Sequence, residues 1–321
     1  MKRHSALLLL ALTAAAPPSK ITPPEVVAAA PAAAWRTIPA EDLMVMTLDG
    51  GARVVIQLAP AFAPVHVANI RKFATANYWQ GATVYRVQDN YVAQWGINEA
   101  KRALSAGAVA HPPAEYVRSP AGLAITPLGS PDSYAKSVGY WRGWPVALYK
   151  DGSVSLTHCY GTVGVGRDLH PDTGTGGELY AIIGGPARPL DRNIAIVGRV
   201  IAGIENLSAL PRGSEAMGFY KAGFAAKAIT GITLASAMPA ASRPSFQYLD
   251  TASPSFARYL QVKKNRHDDF YRVAAGGVDI CNAAVPVRAV PDATASEAVS
   301  RKPHSRKPTA IGAKSFLMGG M

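Results

Sequence analysis

The chain has 321 residues and is 49% hydrophobic, which excludes a disordered protein and leaves room for one large domain or two small ones. A formal net charge of +12 invites a nucleic-acid reading. The basic residues, however, are scattered through the middle and gather only after Glu297, as Arg301, Lys302, Arg306, Lys307 and Lys314 in a Pro/Ser/Ala-rich stretch that builds no core, so no specific nucleic-acid partner is expected.

Lys2, Arg3 and His4 precede an apolar run over residues 6–12 that continues into Ala14, Ala15 and Ala16, the layout of a secretory signal peptide. The run is too short to remain as a transmembrane anchor, so a periplasmic or secreted protein is expected. The small residues 28–34 leave the cleavage point open, and the Ala/Pro-rich stretch 17–34 reads as a flexible linker. Residues 43–48 (LMVMTL) and 52–58 (ARVVIQL) read as a hairpin around Asp49-Gly50-Gly51. Pro64 opens a helix whose Val67, Ile70, Phe73 and Ala74 share one face.

Residues 84–96 (VYRVQDNYVAQWG) read as a second hairpin turning at Gln88-Asp89-Asn90, with the charge of Arg86 inside an apolar run. Alternation places Val84 with Arg86 on one face, and likewise Val92 with Gln94, so both polar groups can project together from a β surface. Two readings stand side by side: a site built on Arg86 and Gln94, or an edge arginine reaching solvent beside a surface glutamine. Residues 97–158 are turn-rich and carry the aromatic cluster Tyr140-Trp141-Arg142-Gly143-Trp144, which either decorates the surface or lines a groove.

Across 63–96 (APVHVANIRKFATANYWQGATVYRVQDNYVAQWG), 160–167 (YGTVGVGR), 174–184 (GTGGELYAIIG) and 190–203 (LDRNIAIVGRVIAG), the chain resembles a cyclophilin-type peptidyl-prolyl cis-trans isomerase. The shared features are a proline-opened helix, an aromatic-Arg-Val strand, a strand ending in Gln-x-Gly, a Gly-rich turn before a pocket strand, and a Leu-Asp turn before Gly-x-Val. The resemblance implies a mainly β fold: a closed antiparallel barrel over residues 35–236, capped by the Pro64 helix and a short 203–210 segment, with 97–158 as an insertion and 229–235 as a closing strand. Residues 237–291 read as an appended element with an amphipathic helix over 254–271 packed on the barrel, and 292–321 as a disordered basic tail.

By the same resemblance Arg86 is the catalytic guanidinium and Gln94 the orienting amide, while Tyr91, Val92, Glu178, Tyr180 and Leu190 surround the substrate. The implied partners are proline-containing segments of client proteins, handled by a monomer without a cofactor. The chain departs from the family pattern at Glu178 (usually glutamine), Tyr180 (usually phenylalanine), Pro189 (often aromatic) and Ile194 (often histidine). Those departures keep a second expectation alive, a catalytically weak module that binds proline-containing or unfolded segments.

The remaining motifs carry less. An oxidising compartment permits a disulfide between Cys159 and Cys281, which is the expectation, with two buried free thiols as the alternative. His158-Cys159 and the group Asp168, His170 and Asp172 lack the spacing of a zinc or calcium site, so no metal is expected. Gly174-Thr175-Gly176-Gly177 has no following Lys-Ser/Thr to complete a phosphate loop.

Overall fold

A computed structural model describes residues 21–97 and 102–290. The expected signal segment over the first residues and the basic tail from 292 onward lie outside them. Residues 21–34, read from composition as linker, are folded: α1 (Pro23–Ala28) begins where Glu25 accepts the Thr22 backbone N–H at 2.7 Å, and Val26 and Ala34 are buried. β1 (Trp35–Thr37) follows, then the hairpin of β2 (Leu43–Leu48) and β3 (Arg53–Leu58). Both hairpin strands are buried along almost their whole length, because two cores claim them. Met44, Met46, Leu48, Val54, Ile56 and Leu58 enter one core, while Leu43 and Val55 on the other face enter a second cluster with Phe246.

Next come α2 (Pro64–Thr75), β4 (Thr83–Val87) and β5 (Val92–Gly96). The stretch 97–158 supplies a sheet of its own from β6 (Thr126–Pro127), β7 (Ser137–Trp141), β8 (Trp144–Leu148) and β9 (Val154–Leu156). β10 (Thr162–Val165), β11 (Leu179–Ile182), β12 (Ile196–Ala202), α3 (Glu205–Ser208) and β13 (Lys227–Leu234) then complete a closed eight-stranded barrel in the order β10-β11-β5-β4-β13-β2-β3-β12, all neighbours antiparallel. Val67, Ile70 and Phe73 of α2 and Leu207 of α3 join the barrel core, so both helices act as caps. Each such fully buried side chain contributes about 1.5–3 kcal/mol.

After the barrel come β14 (Phe246–Leu249), α4 (Pro254–Lys264) and β15 (Val287–Ala289). α4 is shorter than the 254–271 expected: Asp268 caps the turn beyond it, accepting the backbone N–H of Phe270 and Tyr271 at 2.9 and 2.8 Å. Nor does α4 pack on the barrel. Phe256, Tyr259 and Leu260 join Val26, Trp35, Leu128, Val138, Tyr140, Leu249 and Ile280 in a separate core, because the helix periodicity fixes an apolar face without naming its partner. The chain thus has a second lobe made from three segments: residues 21–37, part of 97–158, and 246–289. β1, expected inside the barrel domain, pairs instead with β14, which pairs with β15.

The lobe meets the barrel through Phe62, Trp144, Val146, Val154, Leu156 and Ile196. Arg199 of β12 crosses this seam, donating from Nε and Nη2 to Gln57 Oε1 at 3.0 and 2.8 Å and from Nη1 to the Gly143 carbonyl at 2.7 Å. Gly143, at φ +83° in the turn from Trp141 to Trp144, is pressed so closely on the Tyr248 ring that a Cβ there would collide. Cys159 and Cys281 are joined in a disulfide with their α-carbons 5.0 Å apart, tying the segment ahead of β10 to the last part of the lobe. Among the described residues no helix is long and apolar enough to cross a membrane.

Candidate functional site

A groove of about 1170 Å³ runs over the outside of β4, β5 and β11, bordered by residues 165–174 and by Met217 and Phe219. The strand TVYRV builds its floor through a bulge. Val84 pairs with Trp95 and Arg86 with Gln94, leaving Tyr85 as the extra residue between them. Val84 and Val87 therefore both turn into the barrel core, while Tyr85 and Arg86 both line the groove. This corrects the strict alternation that placed Val84 and Arg86 on one face. On β5 alternation holds: Ala93 and Trp95 face the core, and Val92 and Gln94 face the groove.

Arg86 is gripped from three sides. Its Nε donates to the Met217 carbonyl at 2.7 Å, Nη1 to Gln94 Oε1 at 2.9 Å and Nη2 to Gln88 Oε1 at 2.6 Å. The Phe219 and Tyr91 rings lie 5.3 and 5.9 Å from the guanidinium carbon. Burial pulls its proton affinity below the ordinary arginine value, a pull that Tyr91 and Tyr85 oppose. Among the described residues these three bonds use one of the two N–H groups on each terminal nitrogen of a guanidinium that lines the groove.

Beside it, Tyr85 donates its hydroxyl to Glu178 Oε2 at 2.6 Å. Burial raises the Glu178 carboxyl above its ordinary value against that hydrogen bond, with Asp168 pushing the same way as burial. Burial and the facing Glu178 raise the Tyr85 phenol well above its usual range, which keeps it a donor. The apolar end of the groove is a cluster of Val92, Tyr180, Ile182 and Ala187, with Tyr91, Leu190 and Ile194 packed on it.

The structure thus brings Arg86, Gln94, Tyr91, Val92, Glu178, Tyr180 and Leu190 to one groove. Of the stretch 97–158 only Ile97 borders it among the described residues, so the Tyr140–Trp144 aromatics serve the lobe and its seam with the barrel. Sequence reasoning missed Gln88, Met217 and Phe219. Gly218, at φ +80° against the backbone of Gln88, marks a tight turn there, but nothing linear ties that turn to Arg86. Among the described residues no group of three or more His, Cys, Asp or Glu side chains is arranged to hold a metal ion.

Comparison with known proteins agrees with this geometry. A Brucella suis biovar 1 protein described as a "Probable peptidyl-prolyl cis-trans isomerase" is 24% identical over 179 residues, 55% of this chain and 74% of that protein. A Brucella abortus (strain 2308) protein with the same description is 23% identical over the same shares. The crystal structure of cyclophilin AquaCyp293 from Hirschia baltica superposes with a TM-score of 0.63 at 22% identity, covering 79% of this chain and 93% of that one, a likeness of fold. The sequence profile of the family "Cyclophilin type peptidyl-prolyl cis-trans isomerase/CLD" matches residues 43–225, more than half of the chain and all but the last strand of the closed barrel, and this places the protein in the cyclophilin-type peptidyl-prolyl cis-trans isomerase family.

Proposed function

We propose that this isomerase acts as a monomer on X-Pro bonds in unfolded segments of exported client proteins, with Arg86 as the group that lowers the barrier. The rotation is slow, at about 18–20 kcal/mol, because the amide nitrogen shares its lone pair with the carbonyl. A donor aimed at the prolyl nitrogen stabilises the twisted, pyramidal state, in which that lone pair is free, more than the planar one. The observation that carries the reading is the restrained Arg86 fork, with N–H groups to spare, beside an apolar cup that fits a proline ring. Gln94 holds the fork through Oε1 and presents its amide N–H₂ edge to orient the peptide. The Cys159–Cys281 bridge supports an oxidising, periplasmic or extracellular address.

A second reading, holding without turnover, draws on two exposed apolar side chains at the groove rim: Leu169, 88% exposed, and Met217, 63% exposed. Exchange spectroscopy on a proline peptide separates the two. Arg86→Lys keeps the charge but not the planar fork, and turnover should fall about 30- to 1000-fold while calorimetric affinity for the peptide changes far less. An unchanged exchange rate in Arg86→Ala would replace the enzymatic reading with the holding one.

A further inference from the structure

Behind the apolar end of the groove lies a buried polar chain that the isomerase reading does not use. Tyr180 sits on β11 opposite Gly164 of β10 and Gln94 of β5, and its ring lies across Gly164 where a Cβ would collide with it. The ring borders the groove while its hydroxyl points away, 3.0 Å from Nε2 of His158. His158 is fully buried and lies parallel to Tyr180, the ring centroids 6.3 Å apart. Its Nδ1 is 2.9 Å from Asp191 Oδ1, which also accepts the His158 backbone N–H at 2.8 Å.

The chain continues without reaching water. Arg188 donates from Nε to Asp191 Oδ2 and from Nη1 and Nη2 to the Asp132 carboxylate at 2.8 and 3.1 Å. Asp132, whose side chain is 2% exposed, accepts the backbone N–H of Tyr134 and Ala135 as well. Donor and acceptor roles follow from the ends inward. The Asp191 carboxylate only accepts, so the neutral imidazole of His158 donates from Nδ1 and its Nε2 accepts from the Tyr180 hydroxyl. Burial pushes the Tyr180 phenol well above its ordinary value, which keeps that hydroxyl protonated and able to donate.

We infer that His158 is a positioning residue: by accepting the Tyr180 hydroxyl it locks the aromatic wall of the substrate pocket, and Asp191, Arg188 and Asp132 anchor that lock in the stretch that builds the second lobe. A ring packed only in an apolar cup can slide or swing to another χ1 rotamer. One whose hydroxyl is tied to a buried imidazole cannot move its far end without breaking a hydrogen bond that water is not there to replace. The role assigned to Tyr180 as a pocket wall rests on the isomerase reading; the locking of its ring does not.

The test is a cycle on the full chain. Tyr180→Phe removes one oxygen and His158→Leu removes the acceptor; each should raise KM for a proline peptide about 5- to 10-fold with kcat little changed. The double variant should be no worse than either single one, because both break the same bond. His158→Gln keeps one donor and one acceptor and should restore KM. Asp132→Asn, remote from the groove, should give the same shift in smaller measure, about 2-fold.

Fluorotyrosine NMR of the peptide-free protein reads the placement of the Tyr180 ring directly: a single ring environment in wild type and His158→Gln, exchange among several in His158→Leu. Additive KM effects in the double variant, or the same single environment in all three proteins, would overturn the inference. If no form turned over the peptide, the isomerase reading would fall while the ring's placement still decided this one.

Discussion

The barrel draws its buried side chains from one run of chain between β2 and β13, interrupted by the stretch 97–158, whereas the second lobe gathers Val26 and Trp35, then Val138 and Tyr140, then Leu249, Phe256 and Ile280 from three widely separated stretches. Hairpins such as β2-β3 and β4-β5 close short loops at little entropic cost and support one another strand by strand. The lobe depends on segments far apart in the chain, and the disulfide ties its last part to the segment ahead of β10. The contrast teaches where each region is vulnerable. Loss in the barrel is shared around a closed ring, and loss in the lobe falls on a few anchors.

The sharpest way to break this comparison is at Phe256, fully buried with its ring edge-on to Tyr140 at 4.8 Å. Phe256→Ala should cost about 3–5 kcal/mol. Hydrogen exchange should show the amides of α4, β7 and β8 losing protection well before those of β2, β3 and β12. Equal loss in both sets would mean one cooperative unit.

Cys281→Ser comes next, at about 2–4 kcal/mol in denaturant unfolding, chiefly by freeing the unfolded chain. A barrel-reporting probe such as Trp95 exchange should move less than a lobe-reporting one.

A smaller effect is expected at Glu115, which accepts the Val65 and His66 backbone N–H at 2.8 and 3.0 Å and His66 Nδ1 at 2.6 Å, capping the start of α2. Burial pushes its carboxyl up, but those bonds outweigh it and hold the value below the ordinary one. A carboxyl lowered in the fold adds stability above its unfolded value and loses it as pH falls through the folded one. Glu115→Gln should thus cost about 0.5–2 kcal/mol at pH 7, and its melting curve should converge on the wild type in acid.

Glu178 should give the smallest change and the opposite sign. Its value is raised in the fold, so the wild type loses stability as pH climbs from the unfolded value through the folded one. Glu178→Gln should melt slightly higher than wild type at pH 8, by less than about 1 kcal/mol, with no difference near pH 3. A variant less stable at pH 8 would show that the Tyr85 bond to the carboxylate outweighs its burial.

How far these features could be read in the linear chain follows the same division. Pro64, the Asp49-Gly50-Gly51 turn and the paired runs LMVMTL and ARVVIQL are local signals, and the elements they mark are where they were expected. The groove residues from Arg86 to Leu190 were legible because four motifs recur in order. The bulge at Tyr85 was not, since TVYRV has the composition of a plain strand and the extra residue is set by its pairing with β5. The apolar face of α4 was visible and its partner was not, because periodicity says that a face is buried and never against what. Met217 reaches Arg86 through a backbone carbonyl, a group every residue carries, so its identity gave no hint.

The sheet of β1, β14 and β15 also sets the order in which a growing chain can finish itself. Every barrel strand has been made once residue 234 exists, and the ring can close then. β1, the first of the described strands to be made, has to wait with its edge unpaired until residues 246–249 arrive, and α1 has to wait for α4. A growing chain would therefore carry a finished barrel and an unfinished lobe while residues 235–289 are being made. A product stopped in that stretch would expose Trp35 and Val26 to whatever machinery recognises incomplete proteins.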